Sequence, residues 1–164
     1  MSGAHFNPVV TLTQALLGKL RWPHAALYWV MQFSGALFGV WLAHLMFDLP
    51  ILQTSVHVRS GAGQFVSEVV ATVGLLVLIL GLSHHAIDRI AAAVGAYIAA
   101  AYWFTASTSF ANPAVTTARI LTDTFAGIRP DDAPSFIAAQ LTGALLALGL
   151  YKVLWGSWEK SMAR

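Results

Sequence analysis

The chain has 164 residues, of which 57% are hydrophobic and only 10% charged, against roughly 25% charged in ordinary soluble domains. It has no cysteine, which excludes disulfide and thiolate chemistry, and its formal charge of +2 is dispersed without any Lys/Arg cluster, which argues against a nucleic-acid partner. A mean hydropathy of +0.68 points to a membrane protein, with six Trp, four Tyr and nine Phe available for aromatic belts at bilayer interfaces.

A membrane-spanning helix needs about 20 mostly apolar residues. In chain order, a short apolar segment comes first, Pro8–Leu17, too short to cross. A full span is predicted from about His24 to Phe47, a second from about Gln64 to Ser83 and a third from about Ile90 to Ala106. Pro113–Phe125 is again apolar but short, and Pro134–Trp155 is the fourth span. Both short segments begin with Pro directly after Asn. No basic stretch precedes an apolar core at the start, so no cleavable signal is expected.

Charge placement sets an expected orientation. Lys19, Arg21, Arg89, Lys152, Lys160 and Arg164 fall on one side, six of the nine basic residues. Arg59, Arg119 and Arg129 fall on the other, with Asp48, Asp123, Asp131 and Asp132. By the positive-inside rule both termini are expected in the cytoplasm. Small residues spaced by four, Gly35 with Gly39, Gly95 with Ala99 and Gly143 with Ala147, predict close helix contacts.

The two short segments belong to a longer duplication. NPVVTL at Asn7–Leu12 matches NPAVTT at Asn112–Thr117, and QFSGALFGV at Gln32–Val40 matches QLTGALLAL at Gln140–Leu148. Three spans intervene between the Asn-Pro pairs, so the copies enter the membrane from opposite sides. An inverted-topology repeat follows, with its half-helices meeting near the midplane. Backbone that is not helical is tolerated at that depth only where protein covers it or water reaches it. Asn is a good N-cap and Pro is favoured at the first helical position. Two such helix starts aimed at one spot each bring a partial positive charge of roughly half a unit. That field repels cations and protons, while the Asn amides offer donors to water or a hydroxylated solute.

SGAHFNPVVTL and SFANPAVTTAR resemble the two signature loops of the aquaporin (major intrinsic protein) family, of bacterial type. The resemblance covers essentially the whole chain. It implies an all-α membrane protein with an aquaporin-like inverted repeat of four transmembrane helices and two re-entrant half-helices. One domain is expected over residues 1–164, with residues 2–62 the remainder of the first repeat and 63–164 a complete second repeat. Carried onto this sequence, Asn7, Pro8 and Val9 and Asn112, Pro113 and Ala114 are the two pore-centre motifs. Val9 departs from the usual Ala on the packing side of its motif. Glu68, a carboxylate inside an apolar span, matches a family Glu that accepts hydrogen bonds from the re-entrant loop before Asn112. A proton-relay carboxylate is the competing reading, and the lack of a second intramembrane acid argues against it.

The filter departs from the family pattern. Most members have Arg directly after the second motif, where this chain has Val115. The substitution removes five donors and a fixed charge. Arg119 lies four residues on, on the same helix face one turn outward, with anchoring of the helix end as its expected role and positive charge at the mouth as a second one. The other filter positions fall on Ser109 and on Ala99 or Ala100, with Ala100 the candidate, and all are small. A wide pore is therefore expected, passing water and neutral solutes such as glycerol, urea or undissociated metalloid hydroxides; water alone is the second choice.

The resemblance further implies an integral protein of a bacterial-type inner membrane, a homotetramer, and no cofactor. It also implies that the first two of six spans are missing, since only six residues precede Asn7. Alternatives are a non-conducting remnant or a partial subunit completed by another chain. An enzyme is not expected. Of His5, His24, His44, His57, His84 and His85 only His44 falls well inside a span, no metal-ligand spacing recurs, and Ser107 and Ser109 lack a nucleophile elbow.

Overall fold

The computed structural model describes residues 3, 5–83 and 86–162, with side chains as far as 155. The sequence-based placements of Ser2, His84, His85 and Arg164, and of the Lys160 side chain, lie outside these residues. The described chain is helical: α1 (Pro8–Leu16), α2 (Trp22–Met46), α3 (Ala62–Gly81), α4 (Ile87–Phe104), α5 (Pro113–Arg119) and α6 (Ala133–Met162).

Prolines and glycines set most of the helix starts. Pro8, Pro23 and Pro113 occupy the first turns of α1, α2 and α5, where a missing N–H leaves nothing unpaired. Gly61 precedes α3 at φ 106°, outside the range that suits L-residues. The second short helix ends earlier than expected, at Arg119 rather than near Phe125. Its terminal carbonyls are captured from outside: the Ile128 N–H donates to Arg119 O at 3.2 Å and the Ser55 N–H to Ile120 O at 2.8 Å.

Of the four expected spans, α2, α3 and α6 are long and apolar enough to cross a bilayer. The remaining one, α4, runs for 18 residues with Asp88 in its first turn. At 1.5 Å per residue it is about 27 Å long, slightly under the ~30 Å hydrocarbon core. Exposed Leu27, Val30, Met31, Phe38, Leu42 and Leu45 run along α2, where only Ala25 and His44 are buried. So apolar a surface on a helix of this length suits contact with lipid or with another apolar helix, not with water.

The core forms where α1 and α6 meet α3. Val9, Val10, Leu76, Ala144 and Ala147 make one buried cluster, and Leu80, Leu148 and Tyr151 continue it toward the end of α6. Gly143 allows the approach of α3: a Cβ there would lie 2.8 Å from Thr72 Cβ and 2.9 Å from Val69 O. The small-residue expectation fails at the other two pairs. Gly35, Gly39 and Gly95 have nothing within 4 Å of an added Cβ, because no described helix lies across those faces. A close contact that the spacing did not reveal is Gly74 against the Tyr97 ring, which joins α3 to α4. The Tyr97 hydroxyl donates to Ala71 O at 2.9 Å.

At the opposite end from Lys19 and Tyr151, two long connections are stitched together. The Val56 N–H donates to Asp123 Oδ1 (3.0 Å), the Asp123 N–H to Gln53 Oε1 (2.9 Å) and the Arg129 N–H to His57 O (2.9 Å). This brings Arg59, Asp123, Arg129 and Asp132 to one end of the bundle.

Candidate functional site

The two Asn-Pro elements meet tip to tip. Asn7 and Asn112 each hold extended backbone (φ −144° and −157°) as N-caps. Asn7 Oδ1 accepts from the Val9 N–H at 3.1 Å, and Asn112 Oδ1 accepts from the N–H groups of Ala114 (3.0 Å) and Val115 (3.3 Å). Capping turns both amide nitrogens away from their own helices. Asn7 Nδ2 donates to Ala111 O at 2.6 Å, and Asn112 Nδ2 donates to Phe6 O at 3.0 Å. Each half-helix tip is thereby tied to the loop leading into the other. An Asn amide carries two N–H groups, so one of each pair is committed to this exchange and one is left over.

The same pseudo-symmetry recurs beneath the tips. Gln32 Nε2 donates to Thr11 Oγ1 at 2.9 Å and to His5 O at 2.8 Å. At the equivalent place in the other copy, Gln140 Nε2 donates to Thr116 Oγ1 at 2.8 Å and to Glu68 Oε1 at 2.8 Å. Trp29 Nε1 adds a bond to Pro8 O at 3.1 Å. Gln32 and Gln140, matched in the repeat, each hold a half-helix by its first-turn threonine.

Glu68 is fully buried on α3. Its carboxylate accepts the Phe110 N–H at 3.3 Å and the Ala111 N–H through a shorter contact, as well as the Gln140 amide. The loop it grips is strained: Thr108 (φ 57°), Ser109 (φ 49°) and Ala111 (φ 46°) all lie in the left-handed region without being glycine. Such residues cost about 1 kcal/mol or more each and persist only where neighbours fix them.

A second grip on this loop was not visible in the sequence. Arg59, 6% exposed, enters from the connection between α2 and α3. Its Nε donates to Gly127 O (2.7 Å), Nη2 to Phe125 O (2.8 Å), and Nη1 to Thr108 Oγ1 (3.3 Å) and Ser107 O (3.4 Å). The guanidinium carbon lies 5.0 Å from the Phe110 ring centre. Burial holds the Arg59 pKa below its ordinary value and the Arg119 charge adds to that, while Glu68 and Tyr102 act in the opposite sense. Its backbone N–H donates to Asp132 Oδ2 at 2.7 Å, and Asp132 also pairs with Arg129 through bonds of 2.8 and 3.0 Å.

The candidate filter residues differ in burial. Ser109 is buried, 4% exposed, while Ala99 and Ala100 are exposed on α4 and Val115 is partly exposed on α5. Pro8, Val9, Pro113 and Ala114 are buried on the packing side. Arg119 ties the end of α5 to α4. Its Nη2 donates to the Tyr102 hydroxyl on α4 at 2.7 Å, and its guanidinium carbon lies 4.2 Å from the Phe110 ring centre.

The major intrinsic protein family profile matches residues 1–86 and 81–163. The chain is 54% identical over 155 residues to aquaglyceroporin AqpS of Rhizobium meliloti, covering 94% of this chain and 66% of that protein. It is 29% identical to glycerol uptake facilitator protein-like 5 of Lactiplantibacillus plantarum, covering 95% of this chain and 72% of the relative. Against putative aquaporin NIP4-1 of Arabidopsis thaliana it is 29% identical, covering 94% of this chain and 48% of the plant protein. The chain thus spans between about half and about two thirds of the first and last of these relatives. With two Asn-Pro half-helices joined at their tips and a family match over almost its full length, the chain belongs to the major intrinsic protein family, an all-α family of integral membrane proteins.

Proposed function

We propose that this protein forms a passive transmembrane pathway for water and small neutral solutes of the glycerol, urea or metalloid-hydroxide type. The observation that carries this reading is the exchange between Asn7 Nδ2 and Ala111 O and between Asn112 Nδ2 and Phe6 O. It fixes two helix N-termini against each other and leaves one amide N–H on each Asn for a permeant molecule. Two donors at one level, backed by two N-terminal helix ends, accept a hydroxyl oxygen or water and disfavour a cation. The pore-centre roles of Asn7, Pro8, Val9, Asn112, Pro113 and Ala114 belong to this proposal, as do the filter roles of Val115, Ser109 and Ala100.

Val115 supports a filter that admits more than water, because an aliphatic side chain stands where the aquaporin resemblance implies a guanidinium. The names of the Rhizobium and Lactiplantibacillus relatives, an aquaglyceroporin and a glycerol uptake facilitator-like protein, support glycerol as a permeant class. We place the protein in a bacterial inner membrane as a homotetramer with both termini in the cytoplasm. Replacing Val115 with Arg tests the filter: glycerol flux into vesicles should fall several-fold relative to water flux. An unchanged glycerol-to-water ratio contradicts the wide-filter reading.

A further inference from the structure

Fixed positive charge is absent at position 115, yet two guanidinium groups lie close by. α5 carries Arg119 one helical turn beyond Val115 on the same face. From there it reaches across to α4, bonding the Tyr102 hydroxyl at 2.7 Å. Tyr102 is 39% exposed, so the bridge lies at the surface of the described chain rather than in its core. Phe110 backs the arrangement, with the Arg119 guanidinium 4.2 Å and that of Arg59 5.0 Å from its ring centre. The two arginines differ in freedom. Arg59 spends four N–H bonds on Gly127, Phe125, Thr108 and Ser107, which makes it a fixed brace. Arg119 is partly exposed, and its bond to Tyr102 is solvent-accessible.

We infer that Arg119, held across the outer mouth by Tyr102 and Phe110, is the specificity-determining cation of this pore, displaced one turn outward from Val115. It rests on the channel reading above. A solute arriving from this side meets a guanidinium and a phenol on opposite helices before it meets Val115. A neutral hydroxylated molecule exchanges hydrogen bonds with both, whereas a cation is repelled at close range. Arg59, behind the same ring, keeps Phe110 in place and adds a second positive charge.

The test uses the purified full chain in phosphatidylcholine vesicles, with proton leak, water flux and glycerol flux measured side by side. Arg119→Gln keeps a donor but removes the charge, and Arg119→Lys keeps the charge. The Gln variant should leak protons roughly five- to tenfold faster, the effect of a unit charge acting across a few ångström of aqueous medium. The Lys variant should match wild type in leak. A melting transition unchanged from wild type establishes that both variants fold. Equal leak in all three proteins overturns the inference and leaves the channel reading standing, as does a Lys variant that leaks like Gln. Wild-type vesicles that pass neither water nor glycerol overturn both.

Discussion

Glu68 concentrates the physics of this protein in one side chain. A carboxylate with no exposed surface inside an apolar helix is tolerated only when its oxygens are filled. Here they take two backbone N–H groups of a loop whose residues at 108, 109 and 111 all have positive φ. Glu68→Gln keeps the shape but replaces one acceptor oxygen with a donor, set against an N–H. We expect a loss of about 1–3 kcal/mol, read as a lower melting temperature in detergent, together with reduced flux. At this scale the sequence was uneven as a guide. Asn7 and Asn112 were legible because capping chemistry is local, an Asn followed by a Pro. Arg59 was not, because its acceptors at Ser107, Thr108, Phe125 and Gly127 are some 50 to 70 positions away, and no local pattern announces a partnership over that distance.

Among the elements, the meeting of α3 and α6 sets the frame. Gly143 stands where any side chain would press on Thr72 and the Val69 carbonyl. Gly143→Ala should therefore cost about 1–3 kcal/mol of stability through overpacking. Gly35, its counterpart in the first repeat, has nothing within 4 Å, so Gly35→Ala should change the melting temperature little or raise it. Paired melts of the two variants check the contrast. Equal effects would show that the spacing of small residues, rather than what lies across from them, governs these helices. Gly35 and Gly143 stand in register in the repeat, but a shared register does not fix what packs across from each. The shortened α5 has a similar cause: apolar residues continue past Arg119, but its last carbonyls are claimed by Ile128 and Ser55. Helix starts were read to within about three residues because Pro and Gly mark them.

Over the whole molecule, the inverted repeat accounts for both the fold and the site. Three intervening helices, α2 to α4, reverse the second copy, so α1 and α5 approach from opposite ends and meet at their N-termini. The paired Gln32–Thr11 and Gln140–Thr116 bonds preserve that symmetry in detail. The two stitched connections close one end, and Asp132 is their acidic anchor. Burial raises the Asp132 pKa, but the Arg129 side chain, the Arg59 N–H and the Arg129 charge outweigh it, leaving the group below its ordinary value of 3.8. A carboxylate depressed in the folded state adds stability above its unfolded pKa and loses it as pH falls through the folded one. From this group, stability should be flat from pH 5 to 8 and decline below about pH 4. Asp132→Asn should flatten that acid-side decline in detergent melts, and an identical acid profile would remove Asp132 from the account.

The most direct test of the central claim, that joined half-helices make a path for neutral molecules, is permeability. Stopped-flow light scattering on vesicles holding the purified protein should show water-driven shrinkage and glycerol-driven reswelling faster than in protein-free vesicles, and both should fall when Asn7 and Asn112 are replaced by Ala. Rates equal to those of protein-free vesicles for both solutes would contradict the account.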